Sequence, residues 1–107
     1  MTEIFDAIKI RQSINQGKII WRRHALERML ERGLSRKVIL DAASNGEVIE
    51  GYSSDRPTPT VLLLGWDKKR PIQVVLSIEA DGEVAIITAY VPSLEVFEPG
   101  FRTRRKL

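Results

Sequence analysis

Cysteine is absent from this chain of 107 residues, and histidine occurs only once, at position 24. The lack of cysteine excludes disulfides, thiolate metal sites and cysteine nucleophiles, and it is typical of cytoplasmic proteins. Because a single histidine leaves only scattered carboxylates as metal ligands, we expect neither a metal site nor another cofactor. Gly-rich phosphate loops and nucleophile elbows are also missing, which excludes the enzyme classes that depend on them.

Long apolar runs are missing as well. No run approaches the roughly 20 residues of a membrane-spanning helix, and residues 1–6 lack the basic start of a secretory signal. We therefore expect a cytoplasmic protein without a membrane partner. The length, together with 43% hydrophobic and 29% charged residues, predicts a single globular domain over residues 1–107.

The first part of the chain has helical patterns. Residues 1–45 contain apolar residues at helical spacing, with capping residues before them and glycines after them. The predicted helices run from Thr2 to Gly17, from Arg22 to Glu31 and from Ser35 to Asn45, and a short connection at Lys18 to Trp21 joins the first two.

The second part of the chain, residues 46–92, has strand patterns. Four strands are expected, at Glu47 to Tyr52, Thr60 to Trp66, Ile72 to Glu79 and Glu83 to Val91. Prolines exclude a strand interior between the first two, and a three-residue turn predicts a hairpin between the last two. The sequence therefore predicts an α+β fold in which three N-terminal helices pack on a four-stranded antiparallel meander, with a basic tail at residues 93–107.

The last predicted hairpin also indicates which side chains share a face. If Glu79 lies opposite Glu83, strict alternation places Thr88 and Tyr90 on the face that packs against the helices. Gln73 then lies on the other face. The hydroxyls of Thr88 and Tyr90 would reach a cleft beside the second helix, although both residue types also favour strands for structural reasons alone.

A basic stripe follows the second predicted helix. His24, Arg28 and Arg32 are spaced at i, i+4 and i+8, so their side chains fall within an arc of about 80° on a helix. Like charges at this spacing repel each other unless an anion lies beside them, and an imidazole in line with two guanidiniums suits a phosphate. The alternative is purely structural: Arg28 pairs with Glu31 and Arg23 with Glu27 along the helix, or Arg28 and Arg32 are tied to Glu31 and Glu50.

Other basic residues are clustered, although the net charge is only +3. Such clusters are the electrostatic pattern of proteins that meet nucleic acid, and many small proteins also have them without such a partner. The residues expected to contact RNA are Arg22, Arg23, Lys68, Lys69, Arg70, Arg102 and Arg104.

Six parts of the chain, taken in order, form a pattern that is specific enough to indicate a family. They are Ile20 to Ser35, Asn45 to Tyr52, Asp55 to Pro59, Leu62 to Gly65, Ile87 to Pro92 and Arg104. These parts, in the same order, resemble the motifs of a bacterial family catalogued as domain of unknown function 4258, and the resemblance covers roughly residues 13–105.

The resemblance implies a class of function by analogy of fold. The family is grouped with the small ribonucleases related to barnase and RelE, and some members look like toxins encoded beside a zinc-ribbon or helix-turn-helix antitoxin. A cognate antitoxin is therefore an implied partner. The motif positions that the resemblance assigns to the catalytic site are His24, Arg28, Arg32, Thr88 and Tyr90.

Two functions are consistent with these residues. The first is a small metal-independent ribonuclease in which His24 transfers protons, the arginines of the stripe hold the phosphate, and Glu50 is a candidate second acid–base group. Tyr90 would stack on a base or donate to a phosphate oxygen. The second is a non-catalytic module that binds RNA or a partner protein through the same basic face. Gln73 favours this module, because the family usually has a histidine at that position.

Overall fold

The structure is a computed structural model that describes residues 7–106. In chain order its elements are α1 (Ala7–Asn15), β1 (Ile19–Trp21), α2 (Arg23–Glu31), α3 (Arg36–Ser44), β2 (Glu47–Tyr52), β3 (Thr60–Asp67), β4 (Arg70–Ile78) and β5 (Val84–Tyr90). The predicted α+β class is confirmed. The predicted start of the first helix at Thr2 lies outside the described residues.

The sheet has five strands, and the prediction of a four-stranded antiparallel meander is wrong in this respect. The strand order is β1-β5-β4-β3-β2, with β1 parallel to β5 and the other neighbouring pairs antiparallel. The additional strand, β1, lies in the segment predicted as a connection. Three residues are too few to show an alternation of apolar and polar side chains, and the partner strand is distant in the sequence.

The helices cover one face of the sheet, which we call the helix face. Ser35 begins α3 as predicted, because its hydroxyl accepts from the backbone N–H of Val38 at 3.1 Å. The buried core between the helices and this face includes Met29, Leu34, Ile39, Val61, Leu63, Ile72, Val74, Leu76, Val84, Ile86 and Ala89.

The two layers approach each other closely where α3 crosses β3. A Cβ atom added to Gly65 would lie 2.1 Å from the backbone oxygen of Ala42, and one added to Gly46 would lie 2.6 Å from the same oxygen. Both distances are far below van der Waals contact. Glycine at these two positions therefore allows α3 to rest directly on the sheet.

A β-bulge in β5 changes the faces predicted for the last hairpin. Near the turn the predicted register is right, since the backbone N–H of Glu79 donates to the oxygen of Glu83 at 2.8 Å. Farther along, the register shifts by one residue and Gln73 pairs with Tyr90. Paired residues share a face, so Thr88 and Tyr90 lie with Gln73 on the face opposite the helices. The prediction that places Thr88 and Tyr90 on the helix face, apart from Gln73, is wrong.

This opposite face, which we call the distal face, is partly covered by residues 96–105, the C-terminal hairpin. Two backbone hydrogen bonds of 2.8 Å close the hairpin. Phe97 anchors it, with only 2% of its surface exposed. The Nε2 of Gln73 donates to the backbone oxygen of Phe101 at 3.1 Å, which joins the hairpin to the middle of the sheet.

Candidate functional site

An open groove of about 370 Å³ runs along α2. The helix turns this side outward because Met29, on its other side, is fully buried in the core. Gly33 follows the helix with a φ of 77°, which lets the chain turn away from the end of the groove. The groove is lined by His24, Glu27, Arg28, Glu31 and Arg32, so the whole basic stripe is brought together.

His24 and Arg28 are in direct contact. The Nε of Arg28 donates to the Nε2 of His24 at 3.3 Å, so this ring nitrogen is an acceptor here. Of the glutamate pairs that the structural alternative requires, Arg28–Glu31 is not formed in the described part of the chain. Arg23 and Glu27 do pair, at 3.5 Å, but these side chains are 93% and 58% exposed. Such an exposed pair contributes little to stability.

Arg32 joins the groove to the edge of the sheet. Its Nη1 donates to the hydroxyl of Thr88 at 3.1 Å and to the backbone oxygen of Ala89 at 2.9 Å. β1 pairs only with the first part of β5, Val84–Ile86, so this later part of β5 has no β1 partner. The guanidinium is therefore held at a defined position beside the strand, and among residues 7–106 its hydrogen bonds come from Nη1.

Tyr90 lies on the distal face, and neither it nor Thr88 lines the groove itself. Its burial raises the pKa of its hydroxyl above the ordinary value, against the opposing effects of Arg104 and Arg32. The hydroxyl is thus protonated at neutral pH and is a hydrogen-bond donor. One guanidinium from α2 and one from the C-terminal hairpin both act on this tyrosine.

A second cluster of charged and polar side chains lies on the distal face. The Nε of Arg104 donates to Oε2 of Glu50 at 2.7 Å, its Nη2 donates to Oε1 at 3.1 Å, and the Tyr52 hydroxyl donates to Oε1 as well. Burial alone would raise the pKa of Glu50, but the hydrogen bonds from Arg104 and Tyr52 outweigh it and hold that pKa below its ordinary value. Glu50 is therefore a stable anion.

Sequence reasoning missed Tyr52 and did not connect Glu50 with Arg104. The signal that could have found Tyr52 is alternation along β2, because residues 50 and 52 point to the same face. The contact with Arg104 joins segments that are far apart in the sequence, and no local pattern indicates it.

The predicted RNA-contacting residues are dispersed over the structure. Arg102 pairs with Glu47 at 2.8 Å, and Arg70 pairs with Asp67 at 2.6 Å. Arg22 is exposed immediately before α2, and no ion pair is recorded for it in the described structure. The same holds for the exposed lysines at positions 68 and 69 in the turn between β3 and β4.

Gln73 is the fully buried polar residue opposite Tyr90. Its Nε2 donates to the C-terminal hairpin, whereas its Oε1 has no hydrogen-bond partner among residues 7–106. A buried carbonyl oxygen without a donor costs about 1–3 kcal/mol. Gln73 therefore joins the hairpin to the sheet through its Nε2 group only.

Two further properties concern metals and membranes. Within residues 7–106, no group of three or more His, Asp or Glu side chains is arranged to hold a metal ion. No helix in the same range is long and apolar enough to cross a membrane.

Comparison with known proteins identifies a family for most of the chain. The family described as "Domain of unknown function (DUF4258)" matches residues 21–91, which run from the end of β1 to just beyond β5. The matched segment includes all five residues predicted for the catalytic site. A comparison with curated proteins and one with solved structures found no match. Because the match spans more than half of its residues, the chain belongs to the family of domain of unknown function (DUF4258).

Proposed function

We propose that the protein is a small, metal-independent ribonuclease of the toxin kind, which cleaves RNA by general acid–base chemistry in the α2 groove. The observation that carries this proposal is the groove itself. It combines His24, the only histidine of the protein, with Arg28 and Arg32. The grouping of the chain's family with small ribonucleases, by analogy of fold, supports the same assignment.

Each group of the groove has a defined role in this proposal. Cleavage begins when a base removes the proton of the 2′-hydroxyl, whose oxygen then attacks the adjacent phosphorus and expels the 5′-oxygen, which takes up a proton from solvent as it leaves. His24 Nε2 already accepts a hydrogen bond from Arg28, and the 2′-hydroxyl would replace Arg28 as its donor. The freed Arg28 and the anchored Arg32 would hold the phosphate as negative charge accumulates on it.

Tyr90 and Thr88 support this chemistry from the sheet. Thr88 accepts from Arg32 and so fixes the position of that guanidinium. Tyr90 follows two residues later on the same face of β5, and its protonated hydroxyl is suited to donate to a phosphate oxygen or its ring to stack on a base. The products of such a reaction are a 2′,3′-cyclic phosphate and a free 5′-hydroxyl.

The proposal is tested with purified protein and matched nucleic acids in the presence of a metal chelator. We expect single-stranded RNA to be cut, with 2′,3′-cyclic phosphate ends, and DNA of the same sequence to stay intact because it lacks the attacking 2′-hydroxyl. Mass spectrometry of the fragments identifies the ends. RNA that stays intact at high protein concentration, or DNA that is cut equally well, contradicts the proposal.

A second candidate function is a non-catalytic module that binds RNA or a partner protein through the same basic face. The observation that favours it is Gln73. This residue lies opposite Tyr90 in the β4–β5 ladder, and it stands where the resemblance leads us to expect a histidine. An amide cannot exchange protons as an imidazole does. In this case the arginines of α2 would still bind phosphate, and no cleavage would follow.

Salt dependence tests the binding that both functions share. If Arg28 contacts a phosphate, we expect RNA affinity to fall steeply with salt, and Arg28→Ala to reduce the log–log slope by about 0.7, the value for one contact with a single strand. Titrations by fluorescence anisotropy at several salt concentrations give this slope. Lys37→Gln is the control, because Lys37 lies on α3 and pairs with Asp41 at 2.8 Å. An RNA affinity that does not change with salt concentration would contradict both functions.

A further inference from the structure

The cluster of Glu50, Arg104 and Tyr52 is not used by the proton transfer proposed above. Both carboxylate oxygens of Glu50 are engaged, one by Arg104 alone and the other by Arg104 and Tyr52. A planar guanidinium that binds two oxygens of an anion, assisted by a hydroxyl donor, is the arrangement that also recognises a phosphate group. The carboxylate therefore occupies donors that suit a phosphate.

Solvent reaches the donors of this cluster more easily than it reaches the acceptor. The side chain of Glu50 is 18% exposed, whereas that of Arg104 is 51% exposed and Tyr52 is 44% exposed. Arg104 uses its Nε and one Nη for Glu50, and a guanidinium has five N–H donors. An anion that approaches from solvent thus meets donors first, while the charge of Glu50 beneath them opposes it.

A neighbouring ion pair provides a comparison within the same two segments. Arg102 of the C-terminal hairpin binds Glu47 of β2 through a single contact of 2.8 Å. These side chains are 56% and 51% exposed, and no tyrosine takes part among the recorded contacts. This pair holds the hairpin on the sheet in the same way, but it lacks the two-oxygen geometry and the hydroxyl donor.

We infer that Glu50 is an internal competitor for phosphate, and that Arg104 and Tyr52 form a second phosphodiester-binding site on the distal face. The inference rests on the proposed function, because it takes RNA as the ligand. Tyr90 lies two residues beyond Thr88 on the same strand and face, and Thr88 accepts a hydrogen bond from Arg32 of the α2 groove, so Tyr90 lies between the groove and this site along the sheet. A strand of RNA held in the groove would then continue across Tyr90 towards Arg104, where Glu50 limits how tightly it binds.

Glu50→Gln tests this inference, because it removes the charge and keeps the size of the side chain. We expect the variant to bind a short single-stranded RNA about three- to tenfold more tightly than the wild type. The salt slope should also become steeper by about 0.7, as one more phosphate is contacted. The RNA carries 2′-O-methyl groups and cannot be cleaved, so binding is measured by fluorescence anisotropy independently of any ribonuclease activity.

Two controls separate a site from a general effect of charge. Glu47→Gln removes the same charge from the same strand and should change affinity by less than twofold. The double variant Glu50→Gln/Arg104→Gln should lose the gain. Equal gains for the two single variants, or a gain that survives loss of Arg104, would overturn the inference. Should Glu50→Gln melt well below the wild type, Glu50→Ala repeats the comparison.

The experiments distinguish a failure of this inference from a failure of the ribonuclease proposal. If the wild type cleaves ordinary RNA but Glu50→Gln binds the methylated RNA no better, the inference alone fails. If Glu50→Gln binds more tightly and no variant cleaves RNA, the ribonuclease proposal alone fails. If neither protein binds RNA at low salt, both fail.

Discussion

RNA cleavage is expected to fall by about 10²–10⁴-fold when His24 is replaced by glutamine, the range for losing a general acid or base. The amide oxygen of glutamine can still accept a hydrogen bond from Arg28, so the groove keeps its shape and its two arginines. Binding of the 2′-O-methylated RNA should therefore stay within about twofold of the wild type. Initial rates of cleavage and anisotropy titrations on the same preparations measure the two quantities.

Asp41→Asn is a suitable control for this experiment. Asp41 lies on α3 with its side chain 60% exposed, it pairs with Lys37, and it takes no part in the groove. The Asp41→Asn variant should cleave RNA at the wild-type rate. In bacteria, induced expression of the wild type should slow growth and deplete intact RNA, and His24→Gln should do neither. If the wild type and His24→Gln are equally harmless and bind RNA equally, the binding module is the better explanation.

The basic stripe could be predicted because it depends only on local geometry. Residues at i, i+4 and i+8 share a side of any α-helix, and the buried Met29 decides which side points outward. The contact of Arg28 with His24 follows from the same spacing. The anchor of Arg32 on β5 is different, because it depends on where β1 ends relative to a strand far along the chain.

The positions of Thr88 and Tyr90 could not be predicted, since a single extra residue decides them. The turn fixes the register as far as the pair Leu76–Ile86, and beyond it Ile87 has no partner in β4. Because side chains alternate along a strand, one bulged residue moves every later side chain to the other face. The run from Val84 to Tyr90 contains no glycine or proline that would mark this site.

The bulge also changes how Gln73 should be interpreted. Strict alternation separates it from Tyr90, which would make the glutamine irrelevant to a site that contains the tyrosine. In the structure the two residues lie opposite each other on neighbouring strands, and the side-chain amide of Gln73 also donates a hydrogen bond to the C-terminal hairpin. The difference from the histidine expected in the family therefore bears on the candidate site, and it is the strongest argument for the binding module.

The motif glycines have a clear structural explanation. Gly65 ends one of the segments that carry the family resemblance, and Gly46 belongs to another. Both face the backbone oxygen of Ala42 at distances that exclude a side chain. These residues thus serve the packing of α3 on the sheet, whereas the stripe on α2 lines an open groove. This contrast is a reason to assign function to the stripe and not to every motif residue.

Gly65→Ala is expected to lower the free energy of unfolding by about 3 kcal/mol or more, at the upper end of the costs of overpacking. The new Cβ would lie 2.1 Å from the oxygen of Ala42 and 2.6 Å from its carbonyl carbon and Cα. These are backbone atoms of a helix and cannot rotate away, so α3 must move as a unit or the variant unfolds. The melting temperature, measured by circular dichroism, should fall by roughly 10–25 °C.

Gly82→Ala separates this clash from the general effect of losing a glycine. Gly82 has a φ of 89°, and a Cβ there would meet no atom within 4 Å, so only backbone strain opposes alanine. That strain costs about 1–2 kcal/mol. Gly65→Ala should therefore melt well below Gly82→Ala. If the order is reversed, α3 can shift on the sheet at little cost, and the close contact at Gly65 would not explain why glycine stands in that motif.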